Sequence, residues 1–114
     1  MPAKLRSSLA GLTLHVADVE RSRDFYERIP GVRLLAHRPG EFALFEVGAG
    51  LLGLLQLKSP GFHLEIDASD LDAMHAQLER AGVKASGRPR RRPWGERTFN
   101  VTDPDGYVLE FQDG

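Results

Sequence analysis

Pro93-Trp94-Gly95-Glu96-Arg97-Thr98-Phe99-Asn100-Val101-Thr102-Asp103-Pro104-Asp105-Gly106-Tyr107-Val108-Leu109-Glu110-Phe111 reads as two strands joined by a turn. In Asp103-Pro104-Asp105-Gly106, proline pre-sets φ at the second position and glycine accepts positive φ at the last. The expected strands are Glu96–Thr102 and Tyr107–Gln112. The second carries a carboxylate, Glu110, between apolar Leu109 and Phe111.

Upstream, the chain reads twice. Leu14-His15-Val16-Ala17-Asp18 leads into a helix over 19–29 and then Pro30-Gly31-Val32. Leu64 to Asp70 leads into a helix over 71–81 and then Gly82-Val83. Val19, Ser22, Tyr26 and Ile29 share one helical face, as do Leu71, Met74, Leu78 and Ala81. Asp18 is an expected N-cap, Ser69 with Asp72 an expected capping box, and Gly31 and Gly82 expected stops. Further strands are expected at Val32–Arg38, Phe42–Val47, Leu51–Leu57 and Val83–Pro89. The 114 residues are therefore expected to form one domain of two strand–helix–three-strand modules, about 8–57 and 61–113, joined at Lys58–Gly61.

Composition excludes several classes. Net charge is −1, so no global field favours nucleic acid or an anionic membrane. The absence of cysteine removes disulfides, thiolate nucleophiles and cysteine-based zinc sites. No run approaches the ~18 apolar residues of a membrane span, and Met1 to Ser8 has no apolar leader core. A cytoplasmic protein is expected.

Strand parity places the candidate site. Side chains alternate faces with period two. Leu12, Leu14 and Val16 oppose Thr13 and His15; Phe62, Leu64 and Ile66 oppose His63, Glu65 and Asp67. Phe99 and Val101 oppose Thr98, Asn100 and Thr102; Tyr107, Leu109 and Phe111 oppose Val108, Glu110 and Gln112. Each strand has a greasy face for a helix and a polar face bearing imidazole or carboxylate. A solvent-facing sheet has the same pattern. The mid-strand imidazoles and carboxylates, and the repeat, favour a cleft instead.

The ordered set of Leu14 to Asp18 with Ser22 and Phe25-Tyr26, the helix from Leu71 to Gly82, and Asp103-Pro104-Asp105-Gly106 with Leu109-Glu110 resembles the vicinal oxygen chelate superfamily. That superfamily holds glyoxalase I, extradiol dioxygenases, fosfomycin-resistance enzymes, methylmalonyl-CoA epimerase and bleomycin-resistance proteins. The resemblance covers nearly the whole chain. Pro93-Trp94-Gly95 and Arg97 look most like the bleomycin-resistance branch. The resemblance implies an α+β fold of two tandem βαβββ modules forming a curved mixed β-sheet, a homodimer, and a small-molecule cleft.

It also implies where a cation would sit. The family's usual ligands are a first-strand His, a fifth-strand His or Gln, and a last-strand Glu. Glu110 falls at the carboxylate position, four residues past the turn glycine. The imidazole positions, counted back from Asp18 and Ile66, fall on Gly11 and Gly61. His15 and His63 share their faces. His15, however, stands four residues along its strand, about 13 Å from the usual ligand position. A displaced His15, His63 and Glu110 set is therefore not expected to converge.

The resulting expectation is a binding protein without a metal or other cofactor. Its cleft is lined by Thr13, His15, His63, Glu65, Trp94, Thr98, Asn100 and Glu110. Glu110 is also a candidate general base. One alternative is a divalent-metal lyase, isomerase, thiol transferase or dioxygenase using His15, His63 and Glu110. Another is a diverged interaction module with no ligand. His37 and His75 are expected at the surface. Arg88-Pro89-Arg90-Arg91-Arg92 reads as a solvated edge or an anion clamp.

Overall fold

The computed structural model describes residues 4–93 and 95–113. Its elements are β1 (Ser7–Val16), α1 (Val19–Glu27), β2 (Val32–Arg38), β3 (Phe42–Val47), β4 (Gly50–Gln56), β5 (Gly61–Ala68), α2 (Leu71–Arg80), β6 (Arg90–Arg91), β7 (Arg97–Thr102) and β8 (Val108–Asp113). The hydrogen-bonded strand order is β2-β3-β4-β1-β5-β8-β7-β6. Two helices with a mixed eight-stranded sheet are the α+β arrangement expected. Two compact units divide the chain, one running from Gly11 to His63 and the other from Leu64 onward together with the residues before Gly11.

In the Gly11–His63 unit, β1 pairs with β4 in parallel, Gly11 opposite Leu51 through Val16 opposite Gln56. Strands β2, β3 and β4 are antiparallel neighbours. One face is covered by α1, whose Val19 joins Ala43, Phe45 and Leu54 in a core flanked by Leu14, Val16, Tyr26 and Leu52. The helix starts where Asp18 Oδ1 accepts from the Arg21 N–H (3.1 Å), and Gln56 Oε1 accepts from the Val19 N–H (3.0 Å). It ends at Glu27, two residues sooner than expected. The chain then turns through Pro30 and Gly31, with φ +90° at the glycine and Val32 N–H donating to Ile29 O (3.2 Å). Proline second and a positive-φ glycine third are the requirements of a type II turn.

In the other unit, α2 packs on the apolar faces of β7 and β8. The core is Ala68, Leu71, Met74, Phe99, Val101 and Phe111, with Leu5, Ile66, Leu78 and Leu109 against it. Phe99 and Phe111 are directly paired across the strands and their rings stack, 5.0 Å between centroids and 3° between planes. The expected capping box is corrected: the N-cap of α2 is Asp70, whose Oδ1 accepts from the Ala73 N–H (3.0 Å). Ser69 Oγ instead accepts from the Arg6 N–H (2.9 Å), and Asp72 forms a two-pronged ion pair with Arg97 (2.8 and 3.0 Å). The helix closes with Gly82 N–H donating to Glu79 O (3.0 Å) and Val83 N–H to Leu78 O (2.9 Å), φ at Gly82 being +81°. This is the Schellman pattern, which a left-handed glycine permits.

The strand expected at Val83–Pro89 does not form. That stretch makes a single bridge, Ala85 to Val101, and the strand proper is Arg90–Arg91, opposite Arg97 and Thr98. Gly87 and Pro89 break it, since one is permissive and the other has no N–H for a ladder. The Asp103–Gly106 turn is as expected. Gly106 (φ +95°) donates to Asp103 O (3.0 Å), and Asp103 Oδ1 accepts from the Asp105 and Tyr107 N–H groups (both 2.9 Å). Among the described residues no helix is long and apolar enough to cross a membrane.

Candidate functional site

Because Ile66, Phe99, Leu109 and Phe111 turn toward α2, alternation sends Glu65, Asp67, Thr98, Asn100, Glu110 and Gln112 to the opposite face. The β7–β8 register sets Asn100 opposite Glu110 and Thr98 opposite Gln112. Gln112 Nε2 donates to Asp67 Oδ1 (2.8 Å), which ties β8 to β5. His63 and Glu65 lie two residues apart on β5, so one strand sets their spacing; the division between the units passes between His63 and Leu64, inside that strand. His63, Glu65 and Glu110, all half-buried, offer ligand atoms within 4.8 Å of one another. The expected failure of the displaced set to converge is thus corrected for His63. Its third member is Glu65, not His15.

His15 meets that set through His63. Its Nε2 lies 2.9 Å from His63 Nδ1, a hydrogen bond in which one ring donates and the other accepts. Burial, and secondarily the His63 ring, lower the His15 pKa below its ordinary 6.5. This shift favours the neutral ring, and the bond itself needs only that one ring nitrogen donates and the other accepts.

The two glycines differ. At Gly61 an added Cβ would lie 3.2 Å from His15 Nδ1, so the His15 ring occupies the space that a side chain there would enter. At Gly11 an added Cβ would overlap the carbonyl oxygen of Leu51, its partner in the parallel ladder. Thr13 leans over Gly53, its Oγ1 2.6 Å from where a Cβ would stand.

Thr98 was expected to line the site, but its residue is 1% exposed and Arg92 Nε donates to its Oγ1 (2.6 Å). Arg91 Nη1 donates to Gly95 O (2.7 Å), which fastens the same loop. Two of the five residues in the arginine-rich run are therefore structural. Trp94 lies outside the described residues. His37 and His75 are not surface residues: their side chains are 17% and 11% exposed. His37 Nε2 donates to Glu20 Oε1 (2.8 Å), and the His37 contact is the main reason the Glu20 pKa is lowered. His75 Nε2 donates to Gly87 O (2.9 Å) and presents its ring edge to Phe99. Asp67, Gln112 and Arg92 were not foreseen as part of this region. Parity already put the first two on the right face, whereas Arg92 reaches Thr98 through a loop path with no local signature.

The Glyoxalase/Bleomycin resistance protein/Dioxygenase superfamily model matches residues 8–111. The metallothiol transferase FosB of Lysinibacillus sphaericus (strain C3-41) is 27% identical over 117 residues, covering 94% of this chain and 82% of that protein. The fold is similar to that of methylmalonyl-CoA epimerase from Mycobacterium tuberculosis (TM-score 0.79, 23% identity, covering 92% of this chain and 86% of the other). It is also similar to the Mn(II)-bound glyoxalase from Novosphingobium aromaticivorans (TM-score 0.71, 21% identity, covering 92% and 38%). A match spanning both halves of the duplicated pattern, with Glu110 on the last strand inside it, makes this chain a member of the Glyoxalase/Bleomycin resistance protein/Dioxygenase superfamily.

Proposed function

We propose that the protein is a divalent-metal-dependent enzyme acting on a small molecule, with the cation held by His63, Glu65 and Glu110. The carrying observation is the convergence of one imidazole and two carboxylates within 4.8 Å. The donor set fits a divalent cation in charge, because two carboxylates balance +2. It fits in hardness, because carboxylate oxygens suit Mn²⁺ and imidazole suits Fe²⁺ or Zn²⁺. It also fits in size. Three donors each about 2.2 Å from one ion stand about 3–4 Å apart, so side-chain movement on the order of 1 Å seats the ion. When bound, the cation would supply a positive centre that polarises a ligand oxygen.

The chain's own residues do the rest. The His15 bond holds His63 Nδ1 and fixes the ring plane, which is the usual role of an outer partner to a metal-binding imidazole. The Asp67–Gln112 bond locks the neighbouring strands in register behind the carboxylates. Likeness to a metallothiol transferase puts thiol transfer first among the reaction classes.

A second reading, metal-free sequestration of an antibiotic or metabolite, is favoured by Gly11. No side chain fits there, so the first strand contributes no imidazole at the family's usual position. Metal analysis of protein purified without chelator decides between the two. Near-stoichiometric Mn, Fe or Zn, lost in Glu110→Gln, supports the enzyme; metal-free protein whose melting temperature rises with a small organic ligand supports the binder. Homodimerisation in the cytoplasm belongs to the same proposal. A solution mass of twice 12.6 kDa supports the dimer, and a mass of 12.6 kDa refutes it.

A further inference from the structure

Asn100 carries an unanswered polar atom. Its side-chain oxygen Oδ1 is buried and has no hydrogen-bond partner. Buried acceptors in native proteins are nearly always satisfied, so an exception calls for something to answer it.

The backbone shows which way the side chain reaches. Asn100 N–H donates to Ser86 Oγ (3.1 Å), and Asn100 O accepts from Ser86 N–H (2.8 Å). Both main-chain groups of Asn100 thus turn away from β8. Asn100 and Glu110 are therefore a pair without backbone bonds between them, the arrangement that brings cross-strand side chains closest. Their Cβ atoms stand about 4.5–5.5 Å apart on the same face. What answers the Asn100 oxygen must therefore be something that also suits the carboxylate beside it. An amide oxygen next to a carboxylate is answered by a donor or a cation.

We infer that Asn100 Oδ1 is a fourth, neutral oxygen ligand to the divalent cation, beside His63, Glu65 and Glu110. This rests on the metal reading above and sharpens it. One nitrogen and three oxygens form a hard set, which shifts preference from Zn²⁺ toward Mn²⁺.

The test uses full-length protein stripped of metal, titrated with MnCl₂ and ZnCl₂ by calorimetry, with Mn²⁺ occupancy read by electron paramagnetic resonance. Asn100→Leu keeps the branched outline, in a somewhat larger side chain, and removes the oxygen. It should weaken Mn²⁺ binding at least about tenfold, and Zn²⁺ binding less. The metal-free Tm should not fall, because an unsatisfied acceptor has been removed. Asn100→Asp keeps an oxygen and should bind Mn²⁺ as well as the wild type or better. Equal Mn²⁺ affinity in wild type and Asn100→Leu overturns the inference and leaves the three-residue site standing. No Mn²⁺ binding by the wild type overturns both. If Asn100→Leu does not fold, Asn100→Asp decides: affinity at or above wild type supports the ligand role, and a tenfold loss overturns it.

Discussion

At position 11 the difficulty is backbone, not chemistry. Any Cβ there would run into the Leu51 carbonyl, which cannot swing aside as a side chain could. Gly11→Ala should cost about 1–3 kcal/mol, the usual range for overpacking, measured by urea unfolding; a change below about 0.5 kcal/mol would show that β1 and β4 part easily. His15 makes a pH-dependent contribution. Its folded pKa lies below its ordinary 6.5, so between those values the unfolded chain binds more protons. The contribution is fully present above pH 6.5 and is lost as pH falls through the folded value. His15→Leu should flatten the rise of unfolding free energy with pH across that window. An unchanged slope would mean that the ring is as easily protonated folded as unfolded.

Elements show where local reading succeeds and where it stops. The strands Val32–Arg38 and Phe42–Val47 and the Asp103–Gly106 turn stand where the sequence placed them, because alternation and proline–glycine chemistry act within a few residues. The cap of α2 was misread because Ser69 and Asp70 are both good caps. Arg6, more than sixty residues away, takes the serine. Asp70→Ala should therefore cost about 1 kcal/mol in thermal unfolding. Asp72→Ala, which a capping box would make comparably costly, should cost less, since its partner Arg97 is a solvent-exposed ion pair. Gly82→Ala should cost about 1 kcal/mol, since alanine is strained at φ +81°. In the site, parity gave the face of Glu65, Asn100 and Glu110. It could not give the partners: which of His15, His63 and Glu65 stands by Glu110 depends on pairing between distant strands. A register step of two residues changes the answer without changing the face.

For the molecule as a whole, ligand linkage is the plainest test of the metal proposal. A cation that binds only the folded chain at one hundred times its dissociation constant adds about 2.7 kcal/mol. Mn²⁺ should thus raise the melting temperature by several degrees, and Glu110→Gln should abolish the rise. An equal rise in the variant would place the ion elsewhere. The strand that opens the chain also has a consequence for biosynthesis. Residues ahead of Gly11 pack with the later half: Leu5 lies against the Phe99 and Phe111 core, and Arg6 exchanges two hydrogen bonds with Ser69. On the ribosome these residues emerge before their partners, which lie more than sixty residues further along the chain. Until those partners emerge the segment is unpaired, a period in which chaperone capture or pairing with a neighbouring polysome product competes with native docking.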